Sequence, residues 1–377
     1  TREDGRDGGT QPMFSVTDKN GAQDQTKTEA FRRWSGGAPV VEIGEAHKFK
    51  SGEAVVVRAV HGTTADFTSF KKERANIESD LGGGFYFTNN KDDVGENYAG
   101  FGPDLTNKVQ RLAEQIASDS DREYDDPEVV SEARQQYMAN EGFTMPVFVK
   151  FENPAVIGGS GETFLSYEEA YNDETDEYED PTGQLVEFVE ALRDVASDFQ
   201  DADADQAMSA LWETVNDDQG VRLSDLIEKL KAADGIVYAT DDNGNNASTE
   251  IIRLAIERIG FDGFIDTTVN KKFGSEKRIG KPMAGMNAKT VHFVAFNPEQ
   301  VKSAIGNRGT FDPANPDIRL ASIGSTRAKV PGVDAGSGRA DTAGYGPATR
   351  IELTEGQRAA VDRLQAVIRA KQGNSSY

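Results

Sequence analysis

The alternation of apolar and polar positions divides the chain into strands first, helices in the middle, and strands again at the end. Short β-branched runs predict strands at 40–43 and 54–60, and the second of these delivers the chain to His61. Leu81-Gly82-Gly83-Gly84 opens a third strand at 85–87, and a fourth covers 145–151 and stops at Asn153-Pro154. Strands at 263–267 and 290–296 close the ordered part. Helical spacing predicts a short amphipathic helix at 28–34, ended by Gly36-Gly37, and another that starts near Asn90 and carries Asp92, Val94, Glu96 and Tyr98. The pattern over 105–140 is helical and charged. From Gly183 the apolar positions Leu185, Phe188, Val189, Leu192 and Val195 recur at helical spacing, and further helices fit 207–215, 223–232 and 249–259. Residues 162–183 and the basic, glycine-rich stretch 270–289 read as loops. This order favours an α+β fold over a doubly wound sheet.

The organisation expected from these patterns is one large domain at 28–320, with helical or acidic insertions at about 104–143 and 158–250. Residues 1–27, rich in Gly, Asp, Thr and Gln, read as a disordered segment. A Gly/Ala/Ser/Pro/Arg linker covers 321–353. The remaining stretch, 354–377, holds a helix whose Thr354 and Gln357 stand at capping-box spacing, as the start of a possible next module.

Composition narrows the function classes. The chain has 377 residues, with 41 basic against 64 acidic side chains and a formal net charge of -23. Residues 162–205 hold sixteen acids and one base, Arg193, and so supply most of that charge. Such a balance disfavours a nucleic-acid backbone or an anionic membrane surface as the main partner, because no excess of cations faces the phosphates. The absence of cysteine removes disulfides, thiolate nucleophiles and cysteine metal sites together. No apolar run approaches the roughly 18 residues of a membrane span, and the first residues show no signal-peptide pattern. The expectation is a soluble, intracellular-type protein.

Three histidines are available: His47, His61 and His292. His61-Gly62-Thr63 at a strand end is by itself compatible with an ordinary turn. The glycine run before Phe85-Tyr86-Phe87 would let backbone approach a ligand closely, or make a tight hairpin with core aromatics. Tyr86 alternates to the face opposite Phe85 and Phe87. Asp241-Asp242-Asn243-Gly244-Asn245-Asn246 has the composition of a calcium loop, but Ile252 stands where the twelfth-position carboxylate belongs, so a turn is the better reading and no metal site is expected. The acidic run 171–180 reads as a solvated face. The basic loop from Lys271-Lys272 to Lys281 is placed to read an acidic surface or a pyrophosphate.

Taken together, His61-Gly62-Thr63, Gly84-Phe85-Tyr86-Phe87 and Asn97-Tyr98-Ala99 resemble the nicotinamide-pocket motifs of ADP-ribosyltransferases of the diphtheria-toxin and poly(ADP-ribose)-polymerase class. The chain is most similar to such domains in MuF-associated polyvalent proteins of phages and prophages. Phe31-Arg32-Arg33-Trp34, Gly260-Phe261-Asp262-Gly263, the stretch from Phe296-Asn297-Pro298 to Ala304, and Gly309-Thr310-Phe311-Asp312-Pro313 strengthen the likeness. The resemblance implies split antiparallel sheets around an NAD cleft, and transfer of ADP-ribose from NAD to a host macromolecule. A protein acceptor is favoured over nucleic acid, and no membrane is involved. It further implies action in the bacterial host cytoplasm, after delivery with a virion. His61 would bond ribose hydroxyls, with Gly62 and Thr63 beside the nicotinamide amide. Tyr86, after Gly84, and Tyr98 would sandwich the ring. Gly95 stands where the family often has serine. His292 occupies the position of the usual catalytic glutamate, with Glu276 and Glu299 as nearby substitutes. A degenerate NAD- or ADP-ribose-binding or protein-interaction domain, and an NAD glycohydrolase, remain the alternatives.

Overall fold

The β-branched run and the strand that pairs with it form the spine of a mixed sheet. In chain order the strands are β1 Val16–Asp18, β2 Gly21–Gln23, β3 Val40–Val41, β4 Val55–Thr63, β5 Phe85–Thr88, β6 Phe143–Phe151, β7 Pro154–Ile157, β8 Phe164–Ser166, β9 Tyr171–Asn172, β10 Glu177–Tyr178, β11 Gly220–Arg222, β12 Gly263–Asp266, β13 His292–Ala295 and β14 Val301–Ser303. The helices are α1 Glu29–Ser35, α2 Lys91–Asn97, α3 Pro103–Ser120, α4 Pro127–Met138, α5 Gln184–Ala196, α6 Ala204–Trp212, α7 Leu223–Lys231, α8 Ser248–Arg258 and α9 Val269–Phe273. The computed structural model describes residues 16–18, 21–43, 48–63, 67–98, 103–120, 122–138, 143–168, 171–172, 177–178, 181–212, 220–274, 285–305, 311–312, 314 and 317–318.

Eight strands form one sheet in the order β14-β6-β4-β5-β13-β12-β7, with β3 added beside β4. Most pairs are antiparallel; β7 with β12 and β3 with β4 are parallel. The result is an α+β fold with a mixed sheet. β4 runs beside β6 along its whole length, from Val55 opposite Phe151 to Thr63 opposite Phe143. Its ladder with β5 is a single pair, Val60 opposite Thr88. The sheet is therefore held only narrowly at its centre, where β5 turns off into α2.

Alternation along the central strands separates two cores. Phe85, Phe87, Phe293, Ala295 and Ile265 join Val57, Ala59 and Phe70 on one face. Ala155, Ile157, Phe264 and Val294 point to the other, where α5, α6, α7 and α8 cover them with Leu185, Phe188, Leu192, Leu226, Ile251 and Ile256. A third cluster, Phe31, Trp34, Phe148 and Phe311, fastens α1 to β6 by edge-to-face ring contacts.

Several expectations change. The stretch 158–250, expected as an insertion, packs into the domain, because its residues provide most of the larger core. The helix pair α3–α4 does keep a small cluster of its own, Val109, Ala113, Ala117, Val129 and Ala133. Residues 16–18 and 21–27, which the composition reads as disordered, form the antiparallel β1–β2 pair and a 3₁₀ turn; Gln25 is 3% exposed and donates to the Ala304 carbonyl. The chain does not stop at Pro154 but continues into β7, since a proline is tolerated at a strand's first residue. The loop reading of 270–289 gives way to α9 at its start, while 275–284 lie outside the described residues. β14, inside Asn297-Pro298-Glu299-Gln300-Val301-Lys302-Ser303, has no counterpart among the strands expected from the pattern. The predicted helix at 354–371, the linker, residues 1–15, and Glu276 all lie outside the described residues.

Candidate functional site

Each motif residue is carried by a different part of the sheet centre. His61 is not beyond the strand end: β4 continues through Gly62 and Thr63, which pair with Thr144 and Phe143. Its ring lies against Phe67, Phe70 and Phe87, with centroids at 6.0, 5.1 and 5.6 Å. His61 Nδ1 is 2.8 Å from the Tyr86 carbonyl oxygen. A carbonyl only accepts, so Nδ1 carries the ring proton, and the histidine ties the end of β4 to β5 beside their single ladder pair.

Tyr86 points to the opposite face, towards the helical core. Its hydroxyl donates to the Gly82 carbonyl at 2.9 Å and accepts from the Leu81 amide at 2.9 Å. Burial pushes the phenol well above its usual pKa. The glycine run that precedes it approaches protein, not open space. A Cβ on Gly82, where φ is +78°, would meet the Thr249 carbonyl and the Arg253 Cβ at 2.9 Å. One on Gly84 would stand 2.2 Å from the Val294 side chain. Gly83 donates its amide to Glu250 at 2.5 Å, and Glu250 makes a two-pronged ion pair with Arg253 at 2.8 and 2.7 Å. The same entry turn carries Asp80, which binds Lys231 of α7 at 2.6 Å and Lys272 of α9 at 3.4 Å. Lys272 also reaches the buried Asp266 at 2.7 Å.

Beside β5, Asn90 caps α2 through the amides of Asp92 and Asp93. This helix brings Tyr98 to His292, with ring centroids 6.2 Å apart. His292 sits opposite Thr88 on β5, and Thr88 opposite Val60 on β4, so these residues share a face with Tyr86 and Val294. His292 is 7% exposed, and its Nε2 lies 2.8 Å from the carboxylate of Asp93, which is fully buried. Asp93 also accepts from Asn97 at 2.8 Å. At Gly95, on the same helix, an added Cβ would find nothing within 4 Å.

The structure thus brings Tyr98 next to His292, and His61 next to the Tyr86 backbone, but it sets the His61 ring and His292 on opposite faces. Sequence reasoning misses Asp93 and its link to Asn97 of the Asn97-Tyr98-Ala99 motif, although their spacing of four on a helix is the available signal. A cleft of about 200 Å³ is lined among others by Phe49, Val57, Arg58, Lys289, Val291 and Phe293. It borders the strand of His292 but is not lined by His61, Tyr86 or Tyr98. The Asp241 segment closes on itself, with its carboxylate accepting from the Asn243 and Asn245 amides at 2.9 and 2.8 Å. Among the described residues no helix is long and apolar enough to cross a membrane. No family model, curated protein or solved structure matches the chain.

Proposed function

We propose that the chain is an NAD-dependent mono-ADP-ribosyltransferase acting on a protein, within an α+β fold of the ADP-ribosyltransferase type whose sheet parts between β4 and β5. One observation carries the reading. Four stretches far apart in sequence, around residues 61, 86, 98 and 292, converge on the narrow junction of β4, β5, α2 and β13. Tyr86, Thr88, Tyr98 and His292 then offer one polar and aromatic side on which a nicotinamide ring can be held, with Gly62 backbone alongside. His61 serves the ribose from the end of β4, on the other side of that junction.

Cleavage of the nicotinamide–ribose bond leaves positive charge on the sugar and releases a neutral base, so positioning and electrostatics supply most of the rate. Phage or prophage origin, delivery with a virion, and action in the bacterial host cytoplasm belong to the same reading. A second reading, an NAD-binding domain without turnover, is favoured by two features: the Tyr86 hydroxyl is spent on the Leu81–Gly82 turn, and the glutamate position holds His292. The test is incubation of the chain with NAD labelled in its adenylate half and bacterial lysate. Label on protein, lost in a folded His61→Ala variant, is the expected result. NAD bound in calorimetry but left intact would establish the second reading, and neither binding nor turnover would overturn both.

A further inference from the structure

The carboxylate missing from the start of β13 stands one hydrogen bond behind it. Asp93 is 0% exposed, and both of its oxygens are engaged: Oδ2 with His292 Nε2 at 2.8 Å, and Oδ1 with the Asn97 side-chain amide at 2.8 Å. A carboxylate accepts, so the proton of the His292 ring sits on Nε2 and the lone pair on Nδ1. No hydrogen bond to Nδ1 occurs among the described residues, and Nδ1 is not one of the buried unpartnered polar atoms. Among the described residues the ring is therefore held at Nε2, with no hydrogen-bond partner at Nδ1. His61, held by a carbonyl at Nδ1, is in the opposite tautomer.

We infer that His292 and Asp93 form a general-base pair, and that the nucleophile of this site is a neutral hydroxyl, either a protein side-chain hydroxyl or water. The inference rests on the ADP-ribosyl-transfer reading and names its acceptor class. In the step, the bond between the ribose anomeric carbon and the nicotinamide nitrogen breaks, and its electron pair leaves with nicotinamide, which becomes neutral. The hydroxyl oxygen bonds to the anomeric carbon, and its proton passes to Nδ1 of His292. Asp93 stabilises the imidazolium so formed and keeps the ring turned the right way. An acceptor carboxylate arrives already deprotonated and gains nothing from such a base, which is why a hydroxyl is selected. Asp93, sealed from solvent, is a positioning residue; His292 is the group that meets the acceptor.

The test uses the full chain, with nicotinamide release from NAD as one readout and nitrogen NMR of the histidine rings as the other. Only three histidines are present, so His→Gln variants assign them. Wild type should show His292 with its proton on Nε2 and His61 with its proton on Nδ1. Asp93→Asn should lower kcat about 100-fold, with KM for NAD changed by no more than about twofold. Modified protein should keep its label in neutral hydroxylamine, which cleaves acyl esters but spares glycosides of hydroxyls; release of free ADP-ribose without labelled protein keeps the base pair, with water as its hydroxyl, but overturns transfer to protein. If Asp93→Asn does not fold, the wild-type tautomer still decides: a proton on Nδ1 of His292 overturns the pair. So does hydroxylamine-labile label, or full activity in folded Asp93→Asn while wild type turns over NAD. A wild-type chain inert towards NAD overturns the transfer reading and this inference with it.

Discussion

Replacing Glu250 by Gln tests whether the helical segment holds the glycine turn in place. Glu250 and Arg253 are buried, with side chains 11% and 6% exposed, and are joined by two bonds of 2.7 and 2.8 Å. Burial works against the Arg253 charge, and the two glutamates, Glu250 and Glu257, outweigh it and hold the guanidinium above its usual pKa. The guanidinium also lies over the Phe296 ring, 5.1 Å from its centroid. Glutamine preserves the shape and an acceptor for the Gly83 amide, but leaves the buried cation with Glu257 alone. Breaking a buried pair costs about 3–5 kcal/mol; since Glu257 still binds Arg253, the lower end, about 3 kcal/mol, is expected. Combining the change with Arg253→Met removes the stranded charge, so the double variant should recover to within about 1 kcal/mol of wild type. Urea unfolding midpoints of the four proteins measure both quantities. A single Glu250→Gln loss under about 0.5 kcal/mol, or strict additivity in the cycle, would refute the claim that this pair braces the turn.

Two glycines on either side of the site should behave oppositely. Gly84→Ala puts a methyl 2.2 Å from Val294 and should cost about 1–3 kcal/mol, whereas Gly95→Ala, in a helix with open space around it, should stabilise by about 0.5–1 kcal/mol in thermal melts. Tyr86→Phe removes the bonds to Gly82 and Leu81 and should cost about 1–3 kcal/mol in urea while leaving NAD affinity in calorimetry within about twofold, because the ring is kept; a selective loss of NAD binding would give the hydroxyl a direct ligand role. Asp80 responds to pH: burial raises its pKa, but the ammonium groups of Lys272 and Lys231 prevail and hold the carboxyl below its ordinary value. A carboxyl depressed in the folded state gives stability that is fully present above its unfolded value and lost as pH falls through the folded value. Asp80→Asn should therefore flatten the fall in urea midpoint below about pH 4.

The elements most legible in the sequence are those whose own pattern carries the signal. α5 is readable from Leu185, Phe188, Leu192 and Val195, all of them buried, and β4 from its β-branched run. α2 begins where Asn90 caps it. β7 and β14 are hidden because four and three residues are too short for a period, and because their pairing depends on partners far away, Gly263 to Asp266 and Val147 to Val149. The motif residues are legible, yet their faces are not, since the side on which a strand residue falls relative to a helix packed later is set by register. Asp93 escapes for the same reason: a buried acid next to an exposed one, Asp92, reads as a solvated helix start until β13 is laid beside it.

Helices α7, α8 and α9 and the candidate site are one mechanical unit. The short turn before β5 is gripped at three levels: Asp80 by Lys231 and Lys272, Gly82 by the Tyr86 hydroxyl, and Gly83 by Glu250. Two of these grips come from helices α7 and α8, which lie in or just beyond the stretch that looks like an insertion. β5 in turn meets β4 at one ladder pair, reinforced by His61. The four-pair ladder with β13 sets the face that Tyr86, Thr88 and His292 share, and the gripped turn fixes where β5 enters beside β4. The fold supplies this with ion pairs and hydrogen bonds, whose geometry is directional, where apolar contact alone would let the turn slide. The acid-rich stretch 162–205 ends before α7 begins, so the global charge does not describe the contacts that hold the junction.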